Sequence, residues 1–244
     1  WMFNNEVDTI IKILKKDGTW TGLYYPQIKG MPTMKQFLFD SNGLVWANSS
    51  RYWPGIFCLD TKGTLENTKD DLFRFTGSKF TNQDGTTVTV NWIYFIEEDL
   101  DGMIWIGTDQ GIFVIKNPAD FLSSKTEPVI HRLKIPRNDG TGLADYLMSG
   151  IYTTSICIDG ANRKWIGTMS DGVFLIDSDN QTTIHHFTSE NSALLSDYIM
   201  SIQINKLTGE VYFGTSAGLS VFGGDATAAE EKLSESNVSA YPNP

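Results

Sequence analysis

Cysteine is nearly absent from this chain. Its 244 residues hold two, Cys58 and Cys157, in separate apolar runs. They read as buried thiols acting as small apolar side chains, with a disulfide as the alternative. So few cysteines indicate no redox compartment. Histidine is as scarce: His131, His185 and His186. Adjacent residues on a strand point to opposite faces, so His185 and His186 cannot chelate one ion together. No metal and no cofactor is expected. No run approaches the ~20 apolar residues of a membrane span. No signal peptide is visible, nor an HExxH helix, a nucleophile elbow or a phosphate-binding glycine loop. Positive charge is also short, with 19 Lys and Arg against 29 Asp and Glu and a net charge of −10. That balance leaves no broad basic footprint for nucleic acid, although it permits a local basic patch.

What the chain does have is one phrase in four copies. Two are sharp: Asp101-Gly102-Met103-Ile104-Trp105-Ile106-Gly107-Thr108 and Asn162-Arg163-Lys164-Trp165-Ile166-Gly167-Thr168. Each leads through a short turn to a glycine and an apolar run, Gly111-Ile112-Phe113-Val114-Ile115 and Gly172-Val173-Phe174-Leu175-Ile176. Looser copies are Gly43-Leu44-Val45-Trp46-Ala47-Asn48 and Gly209-Glu210-Val211-Tyr212-Phe213-Gly214-Thr215. The equivalent aromatics Trp46, Trp105, Trp165 and Tyr212 recur at intervals of 59, 60 and 47 residues. Periods of about 40 to 50 residues suit a four-stranded propeller blade, and the longer intervals require insertions.

Alternating apolar stretches precede each turn: Phe37-Leu38-Phe39, Trp92-Ile93-Tyr94-Phe95-Ile96, Ser155-Ile156-Cys157-Ile158 and Ile199-Met200-Ser201-Ile202. This alternation predicts strands. Asn42-Gly43, Asp101-Gly102 and Asp159-Gly160 supply hairpin turns that need positive φ. A fourth, outer strand is expected over Val129–Leu133 and over Thr183–Phe187. The predicted fold is all-β, a β-propeller of four-stranded antiparallel blades. Trp1-Met2-Phe3-Asn4-Asn5 parallels Trp46-Ala47-Asn48-Ser49-Ser50, so the chain is expected to open on the second strand of a blade. That amounts to about four and a half blades, a piece of a seven-bladed ring, with a closed five-bladed ring as the alternative. Blades are expected over residues 1–224, a polar linker over 225–237 and a further module from 238 to 244.

The phrase D-G-x-x-W-I-G-T-x-x-G resembles the two-component-regulator propeller repeat of bacterial surface and periplasmic proteins. The Tyr241-Pro242-Asn243-Pro244 end resembles the opening of the C-terminal sorting domain of the type IX secretion system. Together they are similar to a surface component of that system. The resemblance implies a cell-surface, outer-membrane location and binding of anionic lipopolysaccharide. It also implies partnership with the sortase PorU and other attachment-complex proteins. An alternative of another class is the glycan-sensing extracellular domain of a hybrid two-component regulator. A propeller enzyme ranks last, because no acid–base set is visible.

Candidate site residues follow from where the repeat is interrupted. The turn from Thr108 to Gly111 spans three positions, but Asn48 to Gly55 spans seven. The insertion carries Arg51, Tyr52 and Trp53, a cation beside two aromatics, suited to stacking on sugars and pairing with phosphate or carboxylate. The long connection from Pro136 to Gly150 adds Arg137 and Tyr146. Glu97, Glu98, Asp99 and Asp101 read as a solvated acidic turn rather than a calcium site or an acid–base pair. The recurring Trp46, Trp105 and Trp165 read as packing between blades rather than as sugar platforms. No catalytic residue is expected.

Overall fold

A computed structural model describes residues 1–65, 67–137 and 139–227. The sorting-domain residues 238–244 and linker positions 228–237 lie outside the described residues.

Among the described residues the chain forms five sheets of three or four strands and two extra hairpins. The first sheet holds β1 (Met2–Phe3), β2 (Ile11–Leu14) and β3 (Trp20–Leu23). The second holds β4 (Met34–Phe39), β5 (Val45–Ser49), β6 (Gly55–Asp60) and β7 (Leu72–Thr76). A hairpin follows, β8 (Lys79–Thr81) and β9 (Thr87–Thr89). The third sheet is β10 (Ile93–Glu98), β11 (Ile104–Thr108) and β12 (Gly111–Ile115). After helix α1 (Pro118–Ser123) comes the hairpin β13 (Lys134–Pro136) and β14 (Ala144–Tyr146). The fourth sheet is β15 (Thr153–Ile158), β16 (Lys164–Thr168), β17 (Val173–Ile176) and β18 (Thr183–Phe187). The fifth is β19 (Ile199–Ile204), β20 (Glu210–Thr215) and β21 (Gly218–Gly223). Every pairing between these strands is antiparallel and in chain order. The fold is therefore all-β, with one short α-helix and a 3-10 turn at Pro26–Ile28.

The core lies between consecutive sheets. On β5 and β6, Trp46, Ile56 and Cys58 face Ile93, Ile104, Ile106 and Phe113 of the third sheet. Their alternates Val45, Ala47, Phe57 and Leu59 face Ile11, Ile13 and Leu23 of the first. A two-residue period puts successive side chains on opposite faces. A strand sandwiched between two sheets is then buried along its whole length, as β5, β11 and β16 are. The first strands of the second to fifth sheets, β4, β10, β15 and β19, lie beside one another in sequence order.

The recurring tryptophans are core residues, as the sequence predicts. Trp46, Trp105 and Trp165 expose at most 1% of their surface. Each indole Nε1 donates to an aspartate six residues earlier: Asp40 at 2.8 Å, Asp99 at 2.9 Å, Asp159 at 3.2 Å. The other oxygen of each aspartate accepts two turn N–H groups, such as Asp101 and Met103 at Asp99. A buried indole N–H needs an acceptor, and one carboxylate satisfies both the turn and the ring. The phrase's glycines permit close approach. A Cβ at Gly107 would stand 2.0 Å from the Phe95 ring, and one at Gly172 would stand 2.0 Å from the Phe187 carbonyl.

Three expectations change. The acidic turn is solvated only in part: Asp101 is exposed, but Asp99 is 3% exposed and, besides Trp105, meets the buried Lys164 ammonium at 3.2 Å. Glu98 accepts from Ser41 N and Oγ, and Asp101 accepts from Asn162 Nδ2 at 2.9 Å. These carboxylates tie the turns of neighbouring sheets together. The strand expected over Val129–Leu133 shrinks to one bridge, Val114 with His131. The Ile130 N–H goes to Thr81 of the β8 hairpin instead, so a continuous pairing with β12 is not available. Finally, the long connection from Pro136 to Gly150 contains a strand of its own, β14, paired with β13. The outer strand over Thr183–Phe187 does form, as β18.

Candidate ligand-binding surface

At the end of the sheets opposite the aspartate-bound turns, each turn leaving the second strand docks on the lead-in to the next sheet. Ile93 N donates to Ser50 O at 2.9 Å, Gly150 N to Gln110 O at 3.3 Å and Gly172 N to Asp197 O at 3.1 Å. These bonds bring the interrupted loop at residues 50–54 against the start of β10.

There the Arg51 guanidinium lies between two rings. Its Cζ sits 4.5 Å from the Tyr52 centroid and 4.7 Å from the Trp92 centroid. Trp92 in turn stacks parallel to Tyr94, with centroids 5.9 Å apart and planes 7° apart. The loop backbone is pinned by Thr33, whose Oγ1 accepts from Arg51 N at 3.2 Å and donates to Arg51 O. Tyr52 takes φ of 66°, a left-handed conformation unusual for a bulky residue. Arg51, Tyr52, Pro54, Ser78, Val90, Asn91 and Trp92 line an open groove of about 350 Å³. Among the described residues no carboxylate pairs with Arg51. A guanidinium stacked on aromatic faces keeps its in-plane donors free for an anion.

The other sequence candidates sit differently. Trp53 is 57% exposed and lies beside this groove without lining it. Arg137 forms a two-pronged pair with Asp145, Nε at 2.8 Å and Nη2 at 2.6 Å, on the β13–β14 hairpin. The aspartate holds the arginine above its ordinary value, and the arginine holds the aspartate below its own. Tyr146 is spent on internal contacts. Its hydroxyl donates to Asp84 at 2.5 Å and accepts from Asn82, and its ring carries Arg132 at 4.3 Å. Neither Arg137 nor Tyr146 lines the Arg51 groove. Trp92 does, although the sequence alone reads it only as part of a strand. Its position just ahead of an inner strand, where the chain still faces the loop end, was the available signal.

Burial raises the Cys58 and Cys157 thiols, keeping both protonated, and both are free thiols. His186 stacks on Phe174 at 3.9 Å, and its Nε2 meets the Asp171 carbonyl at 2.7 Å. Among the described residues no cluster of His, Cys, Asp or Glu could hold a metal ion. Among them too, no helix is long and apolar enough to cross a membrane.

No family model matches the sequence, and no curated protein matches it. Solved structures do. The chain is similar to PorZ, an essential bacterial surface component of the type-IX secretion system of Porphyromonas gingivalis, with 29% identity and a TM-score of 0.83. That match covers 91% of this chain and 30% of PorZ. The chain is also similar to the extracellular domain of the hybrid two-component system BT3049 of B. thetaiotaomicron, at 21% identity and a TM-score of 0.57. It covers 93% of this chain and 26% of that one, and at this identity shares the fold alone. The chain thus spans less than a third of the length of either neighbour.

Proposed function

We propose that this chain belongs to a non-enzymatic cell-surface component of the type IX secretion machinery, displayed on the outer face of the outer membrane. In this reading its loop end binds anionic lipopolysaccharide and presents it to the sortase PorU, which attaches it to secreted cargo. The observation that carries the reading is Arg51, a cation beside two aromatic rings on an open groove with no carboxylate partner among the described residues. That pairing suits a ligand with sugar rings and phosphate or carboxylate groups. The similarity to PorZ supports the choice of system. The regulator-sensor alternative rests on a shared fold alone.

The test is binding of purified anionic lipopolysaccharide to the protein and to its Arg51→Ala, Trp53→Ala double variant. The double variant should bind about tenfold more weakly or worse, with an unchanged thermal midpoint. Equal binding by a folded double variant removes the loop from the function.

A further inference from the structure

The Arg51 loop is held by a departure from the repeated phrase. In the third, fourth and fifth sheets the phrase ends Gly-Thr, and the threonine hydroxyl closes its own turn. Thr108 Oγ1 donates to Gly111 O at 2.8 Å, Thr168 Oγ1 to Gly172 O at 2.9 Å and Thr215 Oγ1 to Gly218 O at 2.8 Å. In the second sheet the phrase ends Asn48-Ser49, and both side chains are fully buried. The residue ahead of the first strand differs too. Trp92, Tyr152 and Tyr198 occupy one structural position, before β10, β15 and β19. The carbonyl of each accepts a backbone N–H from its own sheet's second turn: Asp109 to Trp92 at 3.2 Å, Met169 to Tyr152 at 2.9 Å, Ser216 to Tyr198 at 3.0 Å. In the second sheet the same bond runs from Ser50 to Thr33, at 2.9 Å, so a hydroxyl stands where those three sheets carry a ring.

Thr33, Asn48 and Ser49 reach both halves of the groove. The Thr33 hydroxyl donates to Arg51 O and accepts from Arg51 N at 3.2 Å. Its proton is thereby spent, so the Ser49 hydroxyl, 3.2 Å away, donates to its remaining lone pair. Asn48 Nδ2 donates to Ile93 O at 3.0 Å, and Ile93 N donates to Ser50 O at 2.9 Å. The residue next to Trp92 is thus gripped by both its backbone groups. Packing does not explain this network. Tyr52 and Trp53, which the loop carries, stay exposed, so holding the loop buries little. Asn48 Oδ1 is buried without a donor among the described residues, and an unpaired buried acceptor costs stability. The left-handed φ of 66° at Tyr52 adds to that cost. Costs of this kind collect where a side chain must be held for function.

We infer that Thr33, Asn48 and Ser49 are positioning residues, which lock Arg51 on Trp92 so that its free donors meet an anion in one fixed orientation. Thr33 and Ser49 act on the Arg51 backbone, and Asn48 acts on the strand that carries Trp92. None of the three lines the groove, so they work through Arg51 and Trp92 and not on the ligand. A guanidinium already held in place loses less freedom on pairing with phosphate or carboxylate than a mobile one does. The change from Gly-Thr to Asn-Ser therefore belongs with the loop insertion: one opens the turn, and the other fixes what the open turn presents. The inference rests on the proposed function in taking Arg51 as the group that meets the anion.

The experiment follows the Arg51 Nε–H resonance by proton–nitrogen NMR, assigned by its loss in Arg51→Lys. The Tyr52 and Trp92 ring currents shift this resonance in the unliganded protein. Thr33→Val keeps the shape of the side chain and removes its hydroxyl, and Asn48→Gly supplies the residue that three other sheets carry. Both variants should keep a dispersed amide spectrum and move the Arg51 resonance toward that of a solvated arginine. Both should also bind purified anionic lipopolysaccharide about fivefold more weakly or worse. Thr33→Ser loses the methyl group but keeps the hydroxyl, and it should retain both the resonance and the affinity, which a packing role would not allow. A resonance unmoved in either folded variant overturns the inference, and so does a moved resonance with unchanged binding. If the unaltered protein binds no lipopolysaccharide, the proposed function fails, and the resonance still decides whether these residues hold Arg51.

Discussion

The two ends of the sheets treat recurring aromatics in opposite ways. At the turn end, Trp46, Trp105 and Trp165 are buried and each indole is bound to an aspartate. At the loop end, Trp92, Tyr152 and Tyr198 recur just as regularly, yet lie half-buried or exposed. Recurrence therefore does not by itself mean packing. What separates the two sets is the neighbour each one meets. The turn-end ring projects from a strand sandwiched between sheets, while the loop-end residue sits one step before a strand begins, where the sandwich stops.

The most severe way to test this contrast is truncation at the turn end. Trp105→Ala removes a fully buried ring and leaves Asp99 short of a donor, so it should cost about 3–5 kcal/mol in chemical denaturation. Tyr198→Ala at the loop end should cost about 0.5 kcal/mol or less. Similar losses at both ends would erase the distinction.

Next in size is the ion pair that only one copy of the phrase carries. Lys164 occupies the position held by Val45 and Ile104 in other copies, and its ammonium crosses to Asp99 of the preceding sheet. Both side chains are fully buried, and the ammonium also lies 5.1 Å from the Trp105 centroid. Lys164→Ala leaves Asp99 charged and partly uncompensated, which should cost about 3 kcal/mol. Denaturant unfolding measures it, and a neutral result would mean that the three remaining hydrogen bonds to Asp99 suffice.

The smallest effect is in alkaline solution. Burial raises Tyr94 to about 12, and raises Tyr25 further, with help from its bond to Asp71. The unfolded chain ionises its tyrosines near pH 10. The folded state therefore keeps protons that the unfolded state loses. This contribution is complete below pH 10 and disappears as pH rises through about 12. Unfolding midpoints should fall across that window, and Tyr94→Phe should flatten part of the fall. A variant with an unaltered slope would show that Tyr94 is as solvated as the free side chain.

Much of the turn end could be read from the letters. The Trp-Ile-Gly-Thr spacing, the Asp-Gly and Asn-Gly turns and the apolar alternation all act over a few residues, and the strands flanking these turns appear where the sequence predicts them, unlike the outer strand expected over Val129–Leu133. Even the Asp40–Trp46, Asp99–Trp105 and Asp159–Trp165 pairs keep one spacing, although their partnership becomes evident only once both are seen buried. The loop end was less legible. Arg51 and Tyr52 stood out because an insertion broke the repeat. Trp92 did not, since it joins Arg51 across 41 residues of sequence and two sheets. Arg137 and Tyr146 looked free because nothing local announces Asp145 and Asp84 as their partners.

By itself, the sequence determined the strands, their turns and their succession as small antiparallel sheets, because period-two burial and turn chemistry are properties of neighbouring residues. Tertiary structure alone decided which charges are spent and which are free. Lys164 is consumed by a neighbouring sheet, Arg137 by its own hairpin, and Arg51 by no carboxylate among the described residues. That outcome depends on which side chains the stacked sheets bring within a few ångströms, and pairings of that kind have no fixed spacing along the chain.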